Sequence, residues 1–579
     1  MAVRFSDRFG FSGSKSLRRG TRFCPGTAGT LLLAAISAVD VAYAAPVLPP
    51  NLNAGAIQNQ YQNAHKPKLP PSPSTQKAVT GPENKPLKGK AGGVKFLLKR
   101  VEFTKSRFLS PQYLQDVAKP YLNKEVTFAD LRKLLNTINS RYLSLGMLSA
   151  QAVLPPQKIH DGILKIQLVE GKLGKVAVRA EGSSGSPITI PGFFTSRLPL
   201  EKGQIVDDAS LARSIDFFNR TNNIQLRASL QPGAQFGLTN VLLYAQEPKQ
   251  VTFNFGVDNY GYPATGRLEG TESINLYSPL KLDDRLNVYS VQSQGAIDTS
   301  MVYSIPVTSL GTQIGFSYAN SQYTIVNEAY ATLDVKGRSN LYGLNLVQPV
   351  YADKHWLIDG GLQYAYDSSH TLIGGVDLGA TNVNKFSLGL TVNGTWSKGA
   401  FSMVQTALYS NGMAPPAQTS HPFIYQGSFY GYYSLFPQIY ASLLGGWQYT
   451  PSNNITPDEL FQVGGEYSVR GFPTYVQAGN SGFFTQMELH YQPVSFFDLY
   501  GFYDQAYLWA PVPSYNRLQS AGLGTKWSLN HLLDRLFHKK SPVSDGLTVN
   551  FWAGFPFNRV SPDQKKYELG AGMDYQIAF

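Results

Sequence analysis

The stretch YELGAGMDYQIAF, residues 567–579, ends the chain and alternates in polarity with a period of two. Such alternation is typical of a β-strand that has one apolar face. The apolar face carries Tyr567, Leu569, Met573, Tyr575, Ile577 and Phe579. In hydrocarbon every backbone N–H and C=O needs a partner, so a membrane-spanning sheet has to close on itself. We therefore predict that this strand, with Tyr575, Ile577 and Phe579 on its lipid side, closes a transmembrane β-barrel.

The same alternation extends back to Val251. In VTFNFGVD, residues 251–258, and in WLIDGGLQYAYD, residues 356–367, apolar and polar residues again occupy opposite faces. About sixteen such segments of roughly ten residues follow one another, as in outer-membrane barrels. A soluble core of this size would be unusual, since single domains rarely exceed about 250 to 300 residues. The sequence thus predicts that residues 248–579 form an antiparallel transmembrane β-barrel of about 16 strands.

Composition limits the function classes. Of the 579 residues, 13% are aromatic and only 15% are charged, against about 25% charged in ordinary soluble domains. No uncharged apolar run reaches the roughly 18 residues that a membrane-spanning helix needs, which excludes a helical membrane protein. The net charge of +12 is spread along the chain, so no nucleic-acid interface is predicted. Because the eight histidines are dispersed and no catalytic motif occurs, we expect no enzyme activity, metal site or cofactor.

The N-terminus has the pattern of a secretory signal peptide. Arg18, Arg19 and Arg22 precede the apolar run GTAGTLLLAAISAV, and Ala42-Tyr43-Ala44 supplies the small residues of a cleavage site. Residues 1–44 are therefore expected to be removed. The only cysteine, Cys24, lies inside this segment, so the exported chain would contain no thiol for a disulfide, a nucleophile or a metal site.

Two further regions lie between the signal and the barrel. Residues 45–94 are rich in Pro, Asn, Gln and Lys and are predicted to be an extended tether, in which residues 52–64 form either a short helix or part of a plain tail. From 95 to 247 the order strand, helix, helix, strand, strand occurs twice. A repeat of this kind predicts two copies of one small α/β domain, at residues 95–173 and 174–247.

Several motifs, in order along nearly the whole mature chain, resemble the TpsB class of two-partner-secretion transporters, the hemolysin secretion/activation proteins of Gram-negative outer membranes. The run SRYLSLGMLSAQAVLPPQKIHDGILKIQLVEGKLG, residues 140–174, is similar to the POTRA signature of this family. In the barrel, VDNYG (257–261), YSIPV (303–307) and GNSGFFTQMEL (479–489) resemble its first, fourth and twelfth strands. VRGF, residues 469–472, resembles the family's loop motif. The resemblance implies two POTRA domains followed by the barrel.

The resemblance also implies a role for the VRGF motif, which consists of Val469, Arg470, Gly471 and Phe472. In the family this motif is the tip of a long extracellular loop, here residues 450–481 and called the lumen loop, whose arginine contacts an aspartate on the barrel wall. The wall offers Phe502 and Asp504, with Ala506 where the family usually has glycine, which questions a close approach of the loop backbone there. A guanidinium in a narrow lumen needs a carboxylate, which its planar fork holds in bidentate geometry. Glu488 is a competing partner, and a solvated Arg470 is the alternative.

By resemblance, the chain secretes a large exoprotein, made separately and carrying a two-partner-secretion domain, across the outer membrane. The periplasmic POTRA domains would catch the unfolded client by adding it to an exposed sheet edge. Residues 175–181 and 227–232 are candidate edges, and no individual client-binding residue is predicted. In some relatives an N-terminal helix plugs the barrel, and residues 52–64 are placed where that helix would be.

The resemblance further implies contact with outer-membrane lipids and with the barrel assembly machinery through the C-terminal strand. One alternative is a factor that assembles or inserts other outer-membrane proteins, although such relatives usually carry three or more POTRA domains. Another is a passive porin, which would lack the soluble domains. Finally, WSLNHLLDRLFHKK, residues 527–540, has leucines at helical spacing. It is predicted to be an interfacial amphipathic helix or an inserted loop in a periplasmic turn.

Overall fold

The computed structural model describes residues 52, 54–63, 77–81, 95–159, 161–182, 185–327, 330–414, 418–512, 517–530, 544–562 and 564–579. The predicted signal peptide and most of the predicted tether lie outside these residues. The described α-helices are α1 (Ala54–Asn63), α2 (Pro111–Ala118), α3 (Phe128–Ser144), α4 (Pro191–Thr195) and α5 (Asp208–Thr221). None of them is long and apolar enough to cross a membrane.

The strands that precede the barrel belong to two small α/β units. They are β1 (Val79–Thr80), β2 (Phe96–Leu98), β3 (Arg100–Phe103), β4 (Lys124–Val126), β5 (Ala150–Val153), β6 (Ile163–Glu170), β7 (Lys172–Ala180), β8 (Gln225–Pro232) and β9 (Leu238–Gln246). The first unit contains the sheet β3-β6-β5 and the pair β2-β4, whereas the second contains the sheet β1-β8-β9-β7. Each unit packs two helices on its sheet in the element order that the sequence repeat predicts.

The helices of the first unit begin where their capping residues stand. The Ser110 hydroxyl accepts a hydrogen bond from the Tyr113 N–H at 3.2 Å, just before Pro111 opens α2. Thr127 and Asp130 form a capping box at the start of α3, which satisfies N–H groups that have no partner within the helix. The apolar side of α3 is buried against the sheet through Leu131, Leu134, Leu135, Ile138 and Tyr142.

The second unit repeats this design. Asp207 caps α5 by accepting a hydrogen bond from the Ser210 N–H, and Leu211, Ile215 and Phe218 pack into the core. Asp208 joins the two units, because its carboxylate accepts hydrogen bonds from the N–H and hydroxyl of Ser149 at 2.8 to 3.0 Å. Burial raises the pKa of Asp208, although the hydrogen bonds from Ser149 oppose this shift.

The rest of the chain forms a closed antiparallel barrel of sixteen long strands with two short strands at its rim. The long strands are β10 (Val251–Asp258), β11 (Glu269–Tyr277), β12 (Arg285–Ser293), β13 (Ala296–Pro306), β14 (Gln313–Thr324), β15 (Val335–Ala352), β16 (Trp356–Ile373), β17 (Val376–Trp396), β18 (Gly399–Ala414), β20 (Phe423–Phe436), β21 (Ile439–Tyr449), β23 (Gln477–Val494), β24 (Phe497–Val512), β25 (Arg517–Asn530), β26 (Ser544–Pro556) and β27 (Glu568–Ala578). The short strands are β19 (Gln418–Ser420) and β22 (Phe461–Val463). The predicted fold class and approximate strand number are confirmed.

The first and last strands of the barrel pair with each other. Tyr575 lies opposite Phe255 and Ile577 opposite Phe253 in an antiparallel register. Beyond β27, the Phe579 N–H donates to the Val251 carbonyl at 2.9 Å, and the Phe579 and Phe253 rings meet edge to face. The aromatic terminal stretch therefore supplies both the hydrogen bonds and the outer side chains of the seam.

The period-two pattern separates an apolar outside from a polar inside. Phe255, Leu362 and Met573 are each about half exposed on the outer surface. The opposite positions, among them Asn254 and Gln363, line the lumen. This arrangement is the one that a membrane barrel requires, since lipid contacts only the outer face.

The predicted amphipathic helix at 527–540 is wrong at its start. Residues 527–530 continue strand β25, in which Trp527 lies opposite Val549 and Leu529 opposite Leu547 on β26. Because the ladder provides backbone partners for this segment, its leucine belongs to a strand and its helical spacing there is coincidental. Residues 531–543 lie outside the described residues.

Candidate functional site

The lumen loop passes between β21 and β23, which are the eleventh and twelfth long strands of the barrel. The second α/β unit ends only a few residues before β10, so connections from odd to even strands lie at the barrel end away from that unit. The lumen loop starts at this far end and returns into the lumen. Its last residues, 477–481, belong to β23.

Two VRGF side chains anchor the loop by burial. Val469 and Phe472 are almost completely buried. They join an apolar cluster with wall and loop residues, namely Val463, Ala506, Leu508, Leu518 and Val560. Burial of a phenylalanine of this kind stabilises a contact by roughly 1.5 to 3 kcal/mol. The apolar cluster thus holds both ends of the motif that carries Arg470.

Arg470 lies against Asp504, and both side chains are excluded from solvent, at 1% and 0% exposure. Its Nε donates to Asp504 Oδ2 at 2.8 Å and its Nη2 to Oδ1 at 2.9 Å. The Arg470 backbone N–H also donates to Oδ2, at 3.0 Å. This is the bidentate fork that a guanidinium forms and an ammonium does not. A single wall carboxylate therefore binds both the side chain and the backbone of the loop tip.

Glu488 is a second carboxylate for the same arginine. Arg470 Nη1 donates to Glu488 Oε1 at 2.6 Å, so the two predicted alternatives occur together. Glu488 Oε2 is 3.1 Å from His490 Nε2, and His490 Nδ1 is 3.0 Å from Asp498 Oδ2. Tyr440 donates its hydroxyl to Asp498 at 2.6 Å and stacks on the His490 ring. The arginine thus ends a polar network that runs along the inner wall.

Phe502 contributes an aromatic ring to the arginine site. The Arg470 guanidinium lies 3.7 Å from the centre of the Phe502 ring, a cation–π contact that an aromatic face provides to a desolvated cation. Phe502 and Asp504 are two residues apart on β24 and therefore face the same side. The Phe-x-Asp spacing consequently places a charge partner and an aromatic face on one guanidinium.

Helix α1 lies on the inner wall formed by β14, β15 and β16. Gln58 donates from Nε2 to the Ala319 carbonyl and accepts from the Ser339 hydroxyl, while Ala56 and Ile57 are fully buried. The loop also contacts α1, because Gln462 donates to the Ala56 carbonyl at 3.1 Å. The helix at residues 54–63 therefore bridges the wall and the lumen loop.

A buried lysine provides a second ionic contact between loop and wall. Lys385 Nζ on β17 lies 2.6 Å from Asp458 of the lumen loop and 3.5 Å from Asp367 on β16. The Ser339 hydroxyl, which contacts Gln58 of α1, also lies 2.9 Å from Asp367 Oδ1. Gly55 of α1 lies directly over Asp458, since an added Cβ would come within 2.7 Å of the Asp458 Cβ. The wall, loop and α1 thus meet at Lys385.

The lumen is only partly filled by the loop and α1. A cavity of about 900 Å³ remains, and its lining includes Asn254, Asn287, Tyr289, Gln363 and Gln426 of the wall. Among the described residues, no group of three or more His, Cys, Asp or Glu side chains is arranged to hold a metal ion. A cavity therefore remains inside the barrel, and two ionic contacts join the lumen loop to the wall.

Comparison with known proteins places the chain in a family. The family described as haemolysin secretion/activation protein ShlB/FhaC/HecB matches residues 237–527, and the ShlB-type POTRA domain matches residues 96–171. The chain belongs to the haemolysin secretion/activation family. This family comprises two-partner-secretion transporters, so the chain is an outer-membrane translocator whose POTRA domains lie in the periplasm.

Curated relatives and a solved structure agree with this family. The outer membrane transporter CdiB of Dickeya dadantii (strain 3937) is 24% identical over 419 residues, which is 69% of this chain and 72% of the relative. The heme/hemopexin transporter protein HuxB of Haemophilus influenzae (strain ATCC 51907 / DSM 11121 / KW20 / Rd) is 24% identical over 474 residues, 75% of this chain and 82% of the relative. The structure of CdiB from Acinetobacter baumannii covers 92% of this chain and 100% of its own, with a TM-score of 0.58 and 19% identity. These curated relatives are transporters.

Ser520 and Gly554 also belong to the loop site of this haemolysin secretion/activation chain, although no sequence motif marks them. Ser520 on β25 donates its hydroxyl to the Arg470 carbonyl, and Gly554 on β26 touches the loop backbone. The expected difficulty at Ala506 is absent, because the close approach occurs at Gly554 and Ala506 packs in the apolar cluster. The alternation of the strands places Ser520 and Gly554 on the inner face of the barrel, but it does not give their distance from the loop tip.

Proposed function

We propose that the two POTRA domains capture an unfolded exoprotein in the periplasm and deliver it to a barrel that is closed at rest by two elements. These are the lumen loop, held by Arg470 on Asp504 and Glu488, and helix α1, held at Lys385. The observation that supports this proposal most directly is the fully buried fork between Arg470 and Asp504. A contact of this strength inside the lumen orders a loop that a passing client has to displace.

The proposed client is an unfolded chain with a two-partner-secretion domain. Sheet edges suit such a client, because added strands are bound through backbone groups with limited demand on sequence. In the second POTRA domain, β7 is an edge strand of the sheet and carries residues 175–180 of one predicted edge. The other predicted edge, residues 227–232 of β8, is partly covered by β1.

The remaining partners follow from the barrel. Its apolar outer face contacts outer-membrane lipids, and the C-terminal strand with Tyr575, Ile577 and Phe579 is the segment that the barrel assembly machinery would bind before closure. No catalytic chemistry is needed for this function, and we propose that the chain is not an enzyme. Outward movement of the client is driven by its folding at the cell surface.

The proposal is tested by secretion of the exoprotein encoded by the neighbouring gene. Cells that express this exoprotein are compared with no transporter, with the intact transporter, and with Arg470→Ala and Arg470→Lys variants. We expect secretion only with the transporter. Arg470→Ala should lose at least tenfold, because the loop tip then has no defined position in the lumen and Asp504 is left as a buried charge without its cation in the path of the client. Lysine keeps the charge but loses the fork, so Arg470→Lys should rescue little. Equal amounts of exoprotein in the medium with and without the transporter would reject the proposed function.

A further inference from the structure

The chain's own tether covers part of an edge strand in the second POTRA domain. Val79 and Thr80 form β1, which pairs in parallel with Ala228 and Ser229 of β8. The Ala228 N–H donates to the Ala78 carbonyl at 2.8 Å, and the Thr80 hydroxyl donates to the Ala228 carbonyl at 3.2 Å. The edge of β8 therefore accepts an extended segment through its backbone.

The side chain of Val79 occupies an apolar pocket beside this edge. Val79 is only 7% exposed and belongs to the domain's hydrophobic core. The core residues that share this cluster include Leu211 and Ile215 of α5 and Leu226 and Ala228 of β8. A groove between β8 and α5 thus combines backbone hydrogen bonds with a pocket for one β-branched side chain, which is how strand addition achieves both affinity and selectivity.

The next outward backbone position on β8 is occupied by a side chain. The Asn219 amide on α5 accepts a hydrogen bond from the Leu226 N–H at 2.6 Å and donates to the Leu226 carbonyl at 2.9 Å. The first domain has a comparable contact, since Asn139 on α3 accepts from the Ala152 N–H at 2.7 Å. Among the described residues, a tether strand is added only in the second domain. Among the described residues, the edge of β8 is thus the POTRA edge at which an added strand is observed.

The tether strand is a short ligand for a longer edge. It pairs only with Ala228 and Ser229, whereas β8 continues beyond Ser229 to Pro232. A longer extended segment would form more ladder hydrogen bonds and would exclude Val79 from its pocket. In this segment Ala78 is half-buried, Val79 is buried and Thr80 is exposed, so an unfolded client reproduces the buried contact with a β-branched residue at the Val79 position.

We propose that the groove between β8 and α5 is a docking site for an extended segment of the exported client, and that Val79 is a resident substitute which the client displaces. This inference rests on the proposed function. The client segment is unfolded, pairs in parallel with β8, and places Val, Ile or Thr in the Val79 pocket. The client cannot bind while the tether occupies the groove. Its apparent affinity is therefore its intrinsic affinity multiplied by the fraction of time that the groove is free.

The first experiment locks the tether in place. In a Cys24→Ser background, Val79→Cys and Ala228→Cys are combined, because these residues face each other in the parallel register and can form a disulfide. We expect secretion of the neighbouring-gene exoprotein to fall at least tenfold, and to recover when the cells are grown with a reducing agent. The matched control combines Gln231→Cys and Asn240→Cys, which face each other on β8 and β9 and leave the outer edge free. The control should secrete normally.

The second experiment opens the groove. Purified full-length transporter in nanodiscs carries Val79→Asp, which disfavours the buried position, or Lys77→Asp, which changes an exposed residue of the same segment. Binding of the unfolded secretion domain of the exoprotein is measured. A tether that occupies the groove about 90% of the time predicts about tenfold tighter binding to Val79→Asp and no change for Lys77→Asp. Heat-modifiable gel mobility confirms that each barrel is folded.

The outcomes separate the inference from the function on which it rests. If the locked transporter secretes as fast as its reduced form, or if Val79→Asp binds the client no better than Lys77→Asp, the docking site is wrong and the translocator function stands. If the intact transporter does not secrete the exoprotein, the proposed function itself fails.

Discussion

Gly471 of the lumen loop and Gly554 of the barrel wall are in direct backbone contact. A Cβ added to Gly554 would come within 2.6 Å of the Gly471 nitrogen and 2.9 Å of its Cα. Gly471 also has a φ of +89°, a conformation that residues with a side chain rarely adopt. The loop tip therefore reaches the wall at a point where neither partner has room for a side chain, one residue from the arginine that fixes the tip to Asp504.

We predict that Gly554→Ala displaces the loop tip. The added methyl group has no flexible neighbour to move, and overpacking of this kind costs about 1 to 3 kcal/mol. Single-channel conductance in planar bilayers should show longer open periods for the variant. Gly361→Ala is the matched control, because Gly361 is also an inward strand glycine but its added Cβ meets nothing closer than 3.8 Å. Identical traces for both variants would contradict the importance of the glycine contact.

The two carboxylates around Arg470 should differ in their effect. Asp504 accepts three hydrogen bonds from Arg470, two of them from the fork, whereas Glu488 accepts one. Asp504→Asn leaves a buried guanidinium without its main partner, which typically costs about 3 to 5 kcal/mol. Glu488→Gln removes one charged hydrogen bond, worth about 1.5 to 3 kcal/mol. Open probability should therefore rise more with Asp504→Asn, and the reverse order would reject Asp504 as the main anchor.

The sequence predicted the barrel because alternation records which face of a strand meets lipid. The helix caps at Ser110 and Thr127 likewise depend only on neighbours in the chain. The partner of Arg470 was named through the family motif, with Asp504 on an inward position. Each of these features is determined by residues that lie close together in the sequence.

Contacts between distant segments could not be predicted in this way. Gly554 and Asp458 have contacts that depend on the path of the loop through the lumen, which no local pattern encodes. Val79 and Thr80 form a strand of two residues inside a polar tether, and their pairing is decided by the edge of β8. The sequence shows Lys385 as a charged residue in strand β17. It does not show that the partner of Lys385, Asp458, comes from the lumen loop.

Lys385 should control the position of α1. Lys385→Met leaves Asp458 and Asp367 without the cation that lies between them, so the loop segment beneath Gly55 loses its anchor at a cost of about 3 to 5 kcal/mol. In a Cys24→Ser background, an Ala56→Cys reporter on α1, at a position that is fully buried, should then react faster with a maleimide. Lys336→Met is the control, since its ion pair with Asp334 is exposed and such pairs contribute about 0 to 1 kcal/mol. Unchanged labelling with Lys385→Met would show that α1 is held by other contacts.

The last prediction concerns the contact between the second POTRA domain and the barrel. Asp283, in the turn between β11 and β12, accepts a hydrogen bond from the Asn223 N–H at 3.1 Å. Burial raises the pKa of Asp283 to about 6, although the bond from Asn223 and the nearby Arg285 oppose the shift. In an undocked, solvated state the pKa would be about 3.9. The docked state therefore binds a proton more readily than the undocked state.

Docking should consequently strengthen as the pH falls from 7 through about 6, with the full gain reached below the solvated pKa of about 3.9. Asp283→Asn imitates the neutral form, so it should dock tightly at pH 7 and lose this pH dependence. Spin labels at Lys202→Cys and Leu310→Cys, in a Cys24→Ser background, report the distance between the domain and a barrel turn by electron paramagnetic resonance. Asp334→Asn, an exposed carboxylate outside this contact, should behave like the parent. If the parent and Asp283→Asn show the same change in distance distribution with pH, Asp283 does not control docking.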